Sequence, residues 1–383
     1  MNRMNWRFLA ILALALALVA AACGGDDDET ATTEASGGTE TTAAAGGDDG
    51  GGDDGETLKV AFVNIGPASD QGWNWAHDQG AKFMEEQLGD AVEITFLENI
   101  PEGPDSQRTF EQLAADGNQL IFGTSFGYMD PMLAAAEAFP DVVFMHNTGF
   151  KTSANMGNYF GAAEEGRYLS GLAAGAVTES NLIGYVAAFP IPEVVRGINA
   201  FTIGVREVNP DALVEVVWTS TWFDPPKEGT AAQSLLDKGA DIIAMHQDST
   251  APGQAADTAG ANWVGYNTDR SDFAPEAWLT APIWNWGPFY LKTAQEVIGG
   301  TWASEAYYGN MADGMVELAS FGPDVSDETK ALIAERQAAI IDGSFTIFTD
   351  PIVDQDGNSR PLGNIFTEEH NWFVEGVVGS PTG

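Results

Sequence analysis

The chain has 383 residues, and 56 Asp and Glu against 16 Lys and Arg leave it a formal charge of −40 at pH 7. A chain so acidic keeps no basic stripe to neutralise phosphates, which excludes nucleic acid as a partner, and its length suits two α/β lobes or one large domain. The single cysteine, Cys23, excludes an internal disulfide. The four histidines (His77, His146, His246, His370) are too dispersed for a metal site.

The first segment, "MNRMNWRFLAILALALALVAAAC", has Arg3 and Arg7, an apolar run from Phe8 to Val19, then small residues up to Cys23. That is the layout of a secretory signal over residues 1–22, too short for a membrane span. Ala-Ala-Ala-Cys resembles a bacterial lipobox with Ala20 in the usual Leu place, so Cys23 is expected to carry lipid and anchor the protein on the extracytoplasmic face of the cell membrane. From Gly24 to Glu56 the chain holds eleven Asp or Glu and no Lys or Arg. Such a segment buries too little apolar surface to order itself and is expected to act as a tether.

From residue 57 short β-rich runs alternate with helical stretches. "LKVAFVNI" (58–65) reads as a buried parallel strand, followed by a helix over 75–88, "VEITFLE" (92–98), a helix over 105–116, "QLIFG" (119–123), a helix over 129–138 and "VVFMHN" (142–147). After a helix near 164–177 comes a second series: "LIGYVAAF" (182–189), helix 193–206, "LVEVVWT" (213–219), helix 226–238, "DIIAMHQ" (241–247), helix 251–259 and "WVGYN" (263–267). Two successive βαβ series predict two doubly wound parallel sheets, an α/β fold of two lobes joined by hinge crossovers. The first lobe is placed at 57–160 with about 284–325, the second at 161–283 with part of 326–383.

Ligands of such sheets bind outside the carboxyl ends of the strands. The residues there are Asp70 to Trp75, Ser125 to Tyr128, Phe189 to Glu193, Trp222 to Asp224, Gln247 to Ser249 and Asn267 to Asp269. Nearly every loop offers an aromatic ring or a carboxylate, which suits a flat, hydrogen-bonding molecule. Trp73 stands in a turn, where its indole can face a ligand or pack inward; Trp75 and His77 read as packing residues. "GTSFG" (123–127) matches the G-x-S-x-G nucleophile elbow, and Asp248 and His370 lie downstream, so a serine esterase is an alternative. No HGGG-like oxyanion stretch precedes it, and glycines after a strand also allow close approach of a ligand to backbone. "DQDGN" (354–358) reads as a turn, not a calcium loop, and no G-x-x-x-x-G-K-[ST] is present, so no cofactor is expected. In "TAPIWNWGPFYL" (280–291), Trp286 reads as core, and Trp284, where the chain returns from the second series, as a residue able to close over a ligand.

The ordered run of "VNIGPASDQGWNWAHDQG", "PEGPDSQRTFEQLAADGNQLIFGTSFGYMDP", "FPDVVFMHNTGFKT", "NYFGAAEEGRYLSGLAAG", "IGYVAAFPIPEVVRGINAF" and "IWNWGPFY" resembles the basic membrane protein family. The family comprises lipoprotein substrate-binding subunits of ABC importers with the type I periplasmic-binding-protein fold. The resemblance implies a monomer with a purine nucleoside or base as ligand, ABC permease subunits as partners and no enzymatic role. A ligand sensor without a transport role is the further alternative. The family's Asp-Lys-Ser-Phe-Asn segment corresponds to Asp70-Gln71-Gly72-Trp73-Asn74, which gives Trp73 the stacking role and keeps Asn74. Phe126 falls in the family's Gly-Phe loop and Asp269 at the end of its "GYNTD". The family's ribose-holding Lys corresponds to Trp284, and its second stacking Phe falls near Gly197. Both departures favour a free purine base such as adenine over a nucleoside. The expected ligand contacts are Trp73, Asn74, Ser125, Phe126, Phe189, Glu193, Asp248, Asn267, Asp269 and Trp284, with Asp248, Glu193 and Asp269 accepting from ring N–H or amino groups.

Overall fold

The computed structural model describes residues 57–365 and 371–383. The signal segment, Cys23, the acidic segment to Glu56, and His370 lie outside the described residues.

The first series is β1 (Leu58–Val63), α1 (Trp73–Leu88), β2 (Val92–Leu97), α2 (Pro104–Ala115), β3 (Leu120–Gly123), α3 (Met129–Ala138), β4 (Val143–Asn147) and β5 (Met156–Gly161). The second is α4 (Ala163–Val177), β6 (Leu182–Ala187), α5 (Pro192–Val208), β7 (Leu213–Trp218), α6 (Pro225–Leu236), β8 (Ile242–His246), α7 (Ala251–Ala259), β9 (Asn262–Val264) and β10 (Trp278–Thr280). The chain then returns through β11 (Pro282–Trp284), α8 (Gly287–Ile298), β12 (Ala306–Gly309) and β13 (Val316–Leu318), before α9 (Asp327–Ile341), β14 (Ile352–Val353), β15 (Ser359–Arg360) and β16 (Val377–Val378).

Two six-stranded sheets result, ordered β12-β5-β4-β3-β1-β2 and β10-β9-β8-β6-β7-β16, with every pairing in them parallel. Parallel strands covered on both faces must be apolar throughout, and β1 and β3 are buried along nearly their whole length. The register sets Phe96, Phe62 and Phe122 side by side on three neighbouring strands, and their rings stack at 5.2 and 4.6 Å between centroids. Each sheet takes an outer strand from a distant part of the chain, β12 in the first and β16 in the second. The returning strands are short, and β5 lacks a continuous apolar run, so periodicity alone does not reveal them. The expected strand over 263–267 ends at Val264. Asn267 takes a left-handed backbone (φ 73°) and bridges instead to Ile283 on β11.

The chain passes between the lobes at three places: from β5 into α4, from β10 through β11 into α8, and from β13 into α9. β11 and β13 pair antiparallel at this hinge, with Trp284 opposite Val316. "DQDGN" is the turn of the β14–β15 hairpin, where Asp354 Oδ1 accepts from the amides of Asp356 and Asn358.

α4 packs backbone against backbone on α5, and glycine permits it. A Cβ on Gly171 would stand 2.1 Å from the Phe201 carbonyl oxygen, and one on Gly204 2.1 Å from that of Tyr168. Backbone cannot yield as a flexible side chain can, so Gly171→Ala is expected to lose ~1–3 kcal/mol in urea unfolding, although alanine is the better helix former. Gly229, inside α6, is the control, since the nearest atom to its Cβ would be Ala251 Cβ at 3.6 Å. There alanine should gain ~0.4–1 kcal/mol, and equal effects at the two sites would refute the packing account.

Candidate functional site

A cavity opens between the carboxyl ends of the two sheets. The first lobe lines it with Ile65, Trp73, Thr124, Ser125, Phe126 and Thr148, the second with Glu193, Trp222, His246, Asp248 and Tyr266.

The Asp70 carboxylate builds the first wall. It accepts from the amides of Gly72 (2.7 Å), Asn74 (2.9 Å) and Trp75 (3.0 Å) and from Asn74 Nδ2 (2.7 Å), which fixes the turn into α1. Trp73 leaves that turn towards the cavity, its indole N–H donating to the Thr124 carbonyl at 2.6 Å. Its other edges meet His77, Trp284 and Trp286 at centroid distances of 4.5, 6.0 and 5.8 Å. Trp73 thus faces the cavity and belongs to the core, so its removal disturbs both. His77 is wholly buried and hydrogen-bonded to the Tyr290 hydroxyl, and burial pushes its pKa well down, so it stays neutral.

In the second wall, Glu193 stands 3.4 Å from His246 Nε2. Burial drives the His246 pKa well below its usual value, helped by the Arg167 and Arg196 charges. Arg167 lies under the Tyr266 ring at 3.7 Å and donates through Nη1 to the Met245 carbonyl. Burial pushes the Glu193 carboxyl up to about 7, against the pull of Arg196 and Arg167. Burial also raises Asp248 well above the carboxylate range, reinforced by the charges of Asp70 and Glu228. Of the three carboxylates expected to be ionised acceptors, Glu193 and Asp248 are therefore amended: a protonated carboxyl can donate as well as accept.

Five of the ten expected contact residues line the cavity: Trp73, Ser125, Phe126, Glu193 and Asp248. The other five lie elsewhere. Asn74 is fully buried, and its amide is taken up by Gly66 N–H and Asp70. Phe189 packs on Trp222 at 4.9 Å. Asn267 accepts the Trp284 indole N–H at 2.9 Å and donates to Asp248 Oδ1 at 3.1 Å, so both Asn267 and Trp284 stand behind the wall. Trp284 stacks on Trp286 at the hinge. Asp269 is exposed, and its carboxylate takes the amides of Ser271 and Ser320 and the Ser320 hydroxyl. Of the lining residues not anticipated, His246 is the last residue of β8 and Tyr266 lies two residues beyond β9, directly before Asn267; nearness to the carboxyl end of a strand is the signal they share. Ser125 Oγ donates to Glu102 Oε1 at 2.6 Å, whereas His146 Nε2 meets the Ser125 carbonyl, so these residues do not form a nucleophile–base pair.

The family of PnrA-like substrate-binding proteins of ABC transporters (Bmp) matches residues 57–346. The chain belongs to that family. It is 47% identical over 303 residues to a purine-binding protein of Brucella abortus, covering 79% of this chain and 86% of that one. It is 44% identical over 326 residues to a Haloferax volcanii protein provisionally named an ABC transporter glucose-binding protein, covering 85% and 82%. A nucleoside-binding protein of Lactococcus lactis is 23% identical over 318 residues, covering 76% and 89%. Among solved structures, an Aeropyrum pernix solute-binding protein superposes with a TM-score of 0.68 at 17% identity, covering 76% of this chain and 94% of its own. A Conexibacter woesei solute-binding protein gives 0.61 at 22%, covering 76% and 100%. The fold is that of type I periplasmic binding proteins, and the family works on the extracytoplasmic side of the membrane. Among the described residues no helix is long and apolar enough to cross a membrane.

Glu193 gives this Bmp-family protein a pH signature. A carboxyl raised from 4.5 to about 7 binds its proton more tightly in the folded state. Its contribution is therefore fully present at low pH and is lost as pH rises towards about 7, with a slope of at most ~1.4 kcal/mol per pH unit. Ligand-free wild type should lose urea stability relative to Glu193→Gln between about pH 5 and about pH 8. A pH-independent difference between the two would contradict this electrostatic account of the wall.

Proposed function

We propose that the cavity binds a purine base or a closely related flat heterocycle, which the protein delivers to an ABC permease from a lipid anchor at Cys23. The observation that carries this reading is the pairing of aromatic faces with unpartnered polar atoms. Trp73 and Phe126 approach from one lobe, Trp222 and Tyr266 from the other. Glu193 Oε2, Trp222 Nε1, His246 Nδ1, Tyr266 Oη and Thr148 Oγ1 are buried on lining residues with no hydrogen-bond partner in the protein. Buried donors and acceptors left unpaired cost ~1–3 kcal/mol each, so a ligand presenting both kinds of group gains by meeting them. The lining residues include no Lys or Arg, which disfavours phosphorylated ligands. The Brucella abortus relative supports a purine; the Haloferax volcanii relative supports glucose as a second reading, since aromatic walls and hydroxyl-seeking groups also suit a hexose.

Calorimetric titration with adenine, adenosine and glucose separates these readings. Adenine is expected to bind most tightly, and tighter binding of adenosine or glucose would reject the free-base reading. Trp222→Phe, which keeps a ring and removes the indole donor, should weaken adenine by ~1–3 kcal/mol, or roughly tenfold to a hundredfold. Trp73→Ala is the poorer probe, because emptying an indole site in a core costs ~3–5 kcal/mol of stability by itself.

The anchor has its own test. Cys23→Ser should release a folded body into the medium, since one acyl chain or two on this residue would be what holds it. A variant that stays in the detergent phase would reject the anchor.

A further inference from the structure

One cation bridges the lobes outside the ligand cavity. Arg270, in the second lobe, is only 1% exposed. Its Nε donates to Thr268 Oγ1 at 3.2 Å and its Nη1 to the Ser249 carbonyl at 2.9 Å, both within its own lobe. The remaining nitrogen, Nη2, is buried with no hydrogen-bond partner in the protein. It abuts the first lobe, where a Cβ on Gly72 would stand 2.2 Å from Nη2 and 2.4 Å from the Asp248 carbonyl oxygen. Beside it, Thr268 Oγ1 donates across the cleft to the Gln71 carbonyl at 2.6 Å, and Gln71 holds a left-handed backbone (φ 60°). The first-lobe side of this contact is thus the turn between Asp70 and Trp73.

Three carboxylates act on this guanidinium: Asp70 from the first lobe, Asp248 and Glu228 from the second. Glu228 is occupied by the Ser249 amide and hydroxyl and by the Asp224 amide. The Asp70 carboxylate already accepts four hydrogen bonds inside its own lobe. Neither carboxylate therefore relies on Arg270 for its hydrogen bonds. Burying a guanidinium among carboxylates costs desolvation of the same order as the attraction it gains, so such a contact is finely balanced.

We infer that Arg270 is the positioning residue that couples ligand capture to lobe closure, docking on the Asp70–Gly72 turn when the lobes meet. The inference rests on the proposed cleft ligand, because the coupling runs through Asp248, which lines the cavity and also interacts with Arg270. A ligand N–H donated to Asp248 favours the ionised form of that carboxyl, which strengthens its attraction for Arg270 and tips the balance towards closure. Gly72 is small because the guanidinium and the Asp248 carbonyl occupy the space of its side chain.

The test uses the full chain with Cys23→Ser and cysteines introduced at Phe150 and Lys227, exposed residues of the first and second lobes. Spin labels there read the fraction of molecules with the lobes together. Arg270→Gln is expected to at least halve that fraction in the ligand-free chain. It should also raise the adenine dissociation rate about tenfold, with association changed by less than about twofold, since capture precedes closure. Arg270→Lys should recover part of both effects, and Gly72→Ala should shift the distances as Arg270→Gln does. Unchanged distances and dissociation in Arg270→Gln would overturn the inference. So would slowed association accompanied by lowered melting, which marks a merely structural role. If wild type fails to bind adenine, the ligand reading fails, and the ligand-free distances alone decide on Arg270.

Discussion

The cleft depends on a carboxylate taken out of water. Asp70 opens α1 not as a helix cap of the usual kind but as the centre of a turn, holding three backbone amides and one side-chain amide at once. Burial raises its pKa while those four donors pull it down. An ionised acceptor bonded to several N–H groups is among the stronger arrangements available to a loop. It orders Gln71 in its left-handed conformation, turns Trp73 towards the cavity and presents Gly72 to the opposite lobe. Without it the loop after β1 would have no internal reason to hold any of these positions.

A second chain of contacts ties the hinge to the cavity. Trp284 lies on the hinge strand β11, stacked on Trp286, and donates its indole proton to Asn267. Asn267, whose left-handed backbone asparagine tolerates better than most residues, passes its amide proton to Asp248 on the cavity wall. Gly161 gives this assembly room: a Cβ there would stand 2.6 Å from the Trp284 ring and 3.0 Å from Val316 on the partner hinge strand. The residues that let the lobes join are therefore in direct contact with the residues that position a ligand-facing carboxyl.

The architecture was legible in the sequence because parallel strands buried on both faces leave continuous apolar runs, and β1, β6 and β8 each write one. β5 and β12 do not: "MGNYFG" and "AYYG" owe their place to neighbouring strands, not to their own pattern. The site was legible at the level of loops and less so at the level of side chains. Trp73 and Asn74 open α1, where successive side chains point about 100° apart, so Trp73 lines the cavity while Asn74, its neighbour, is folded back on Asp70. Asp269 and Trp284 stand out both by loop position and by the family resemblance, but their hydrogen bonds go to Ser320 and Asn267. Trp222, His246 and Tyr266 carry no motif at all; only the pairing of two lobes brings them to one wall.

The G-x-S-x-G pattern shows how a catalytic signature can arise from packing alone. A Cβ on Gly123 would stand 2.5 Å from Met132 Cε and 3.1 Å from Phe110, so the first glycine seats β3 against the helices that cover it. A Cβ on Gly127 would stand 2.4 Å from the Glu102 carboxyl carbon, and that carboxylate takes the Gly127 amide at 2.8 Å as well as the Ser125 hydroxyl. Ser125 and the second glycine are thus two halves of one clamp on the loop entering α3. A nucleophilic serine needs its proton drawn off by a base held beside it. His146, the histidine at this loop, is pushed down to about 4 by burial and is engaged with the Ser125 backbone. The strand–glycine–serine–glycine–helix order therefore has a sufficient cause in how tightly a loop at the carboxyl end of a strand must be drawn in to leave a cavity in front of it.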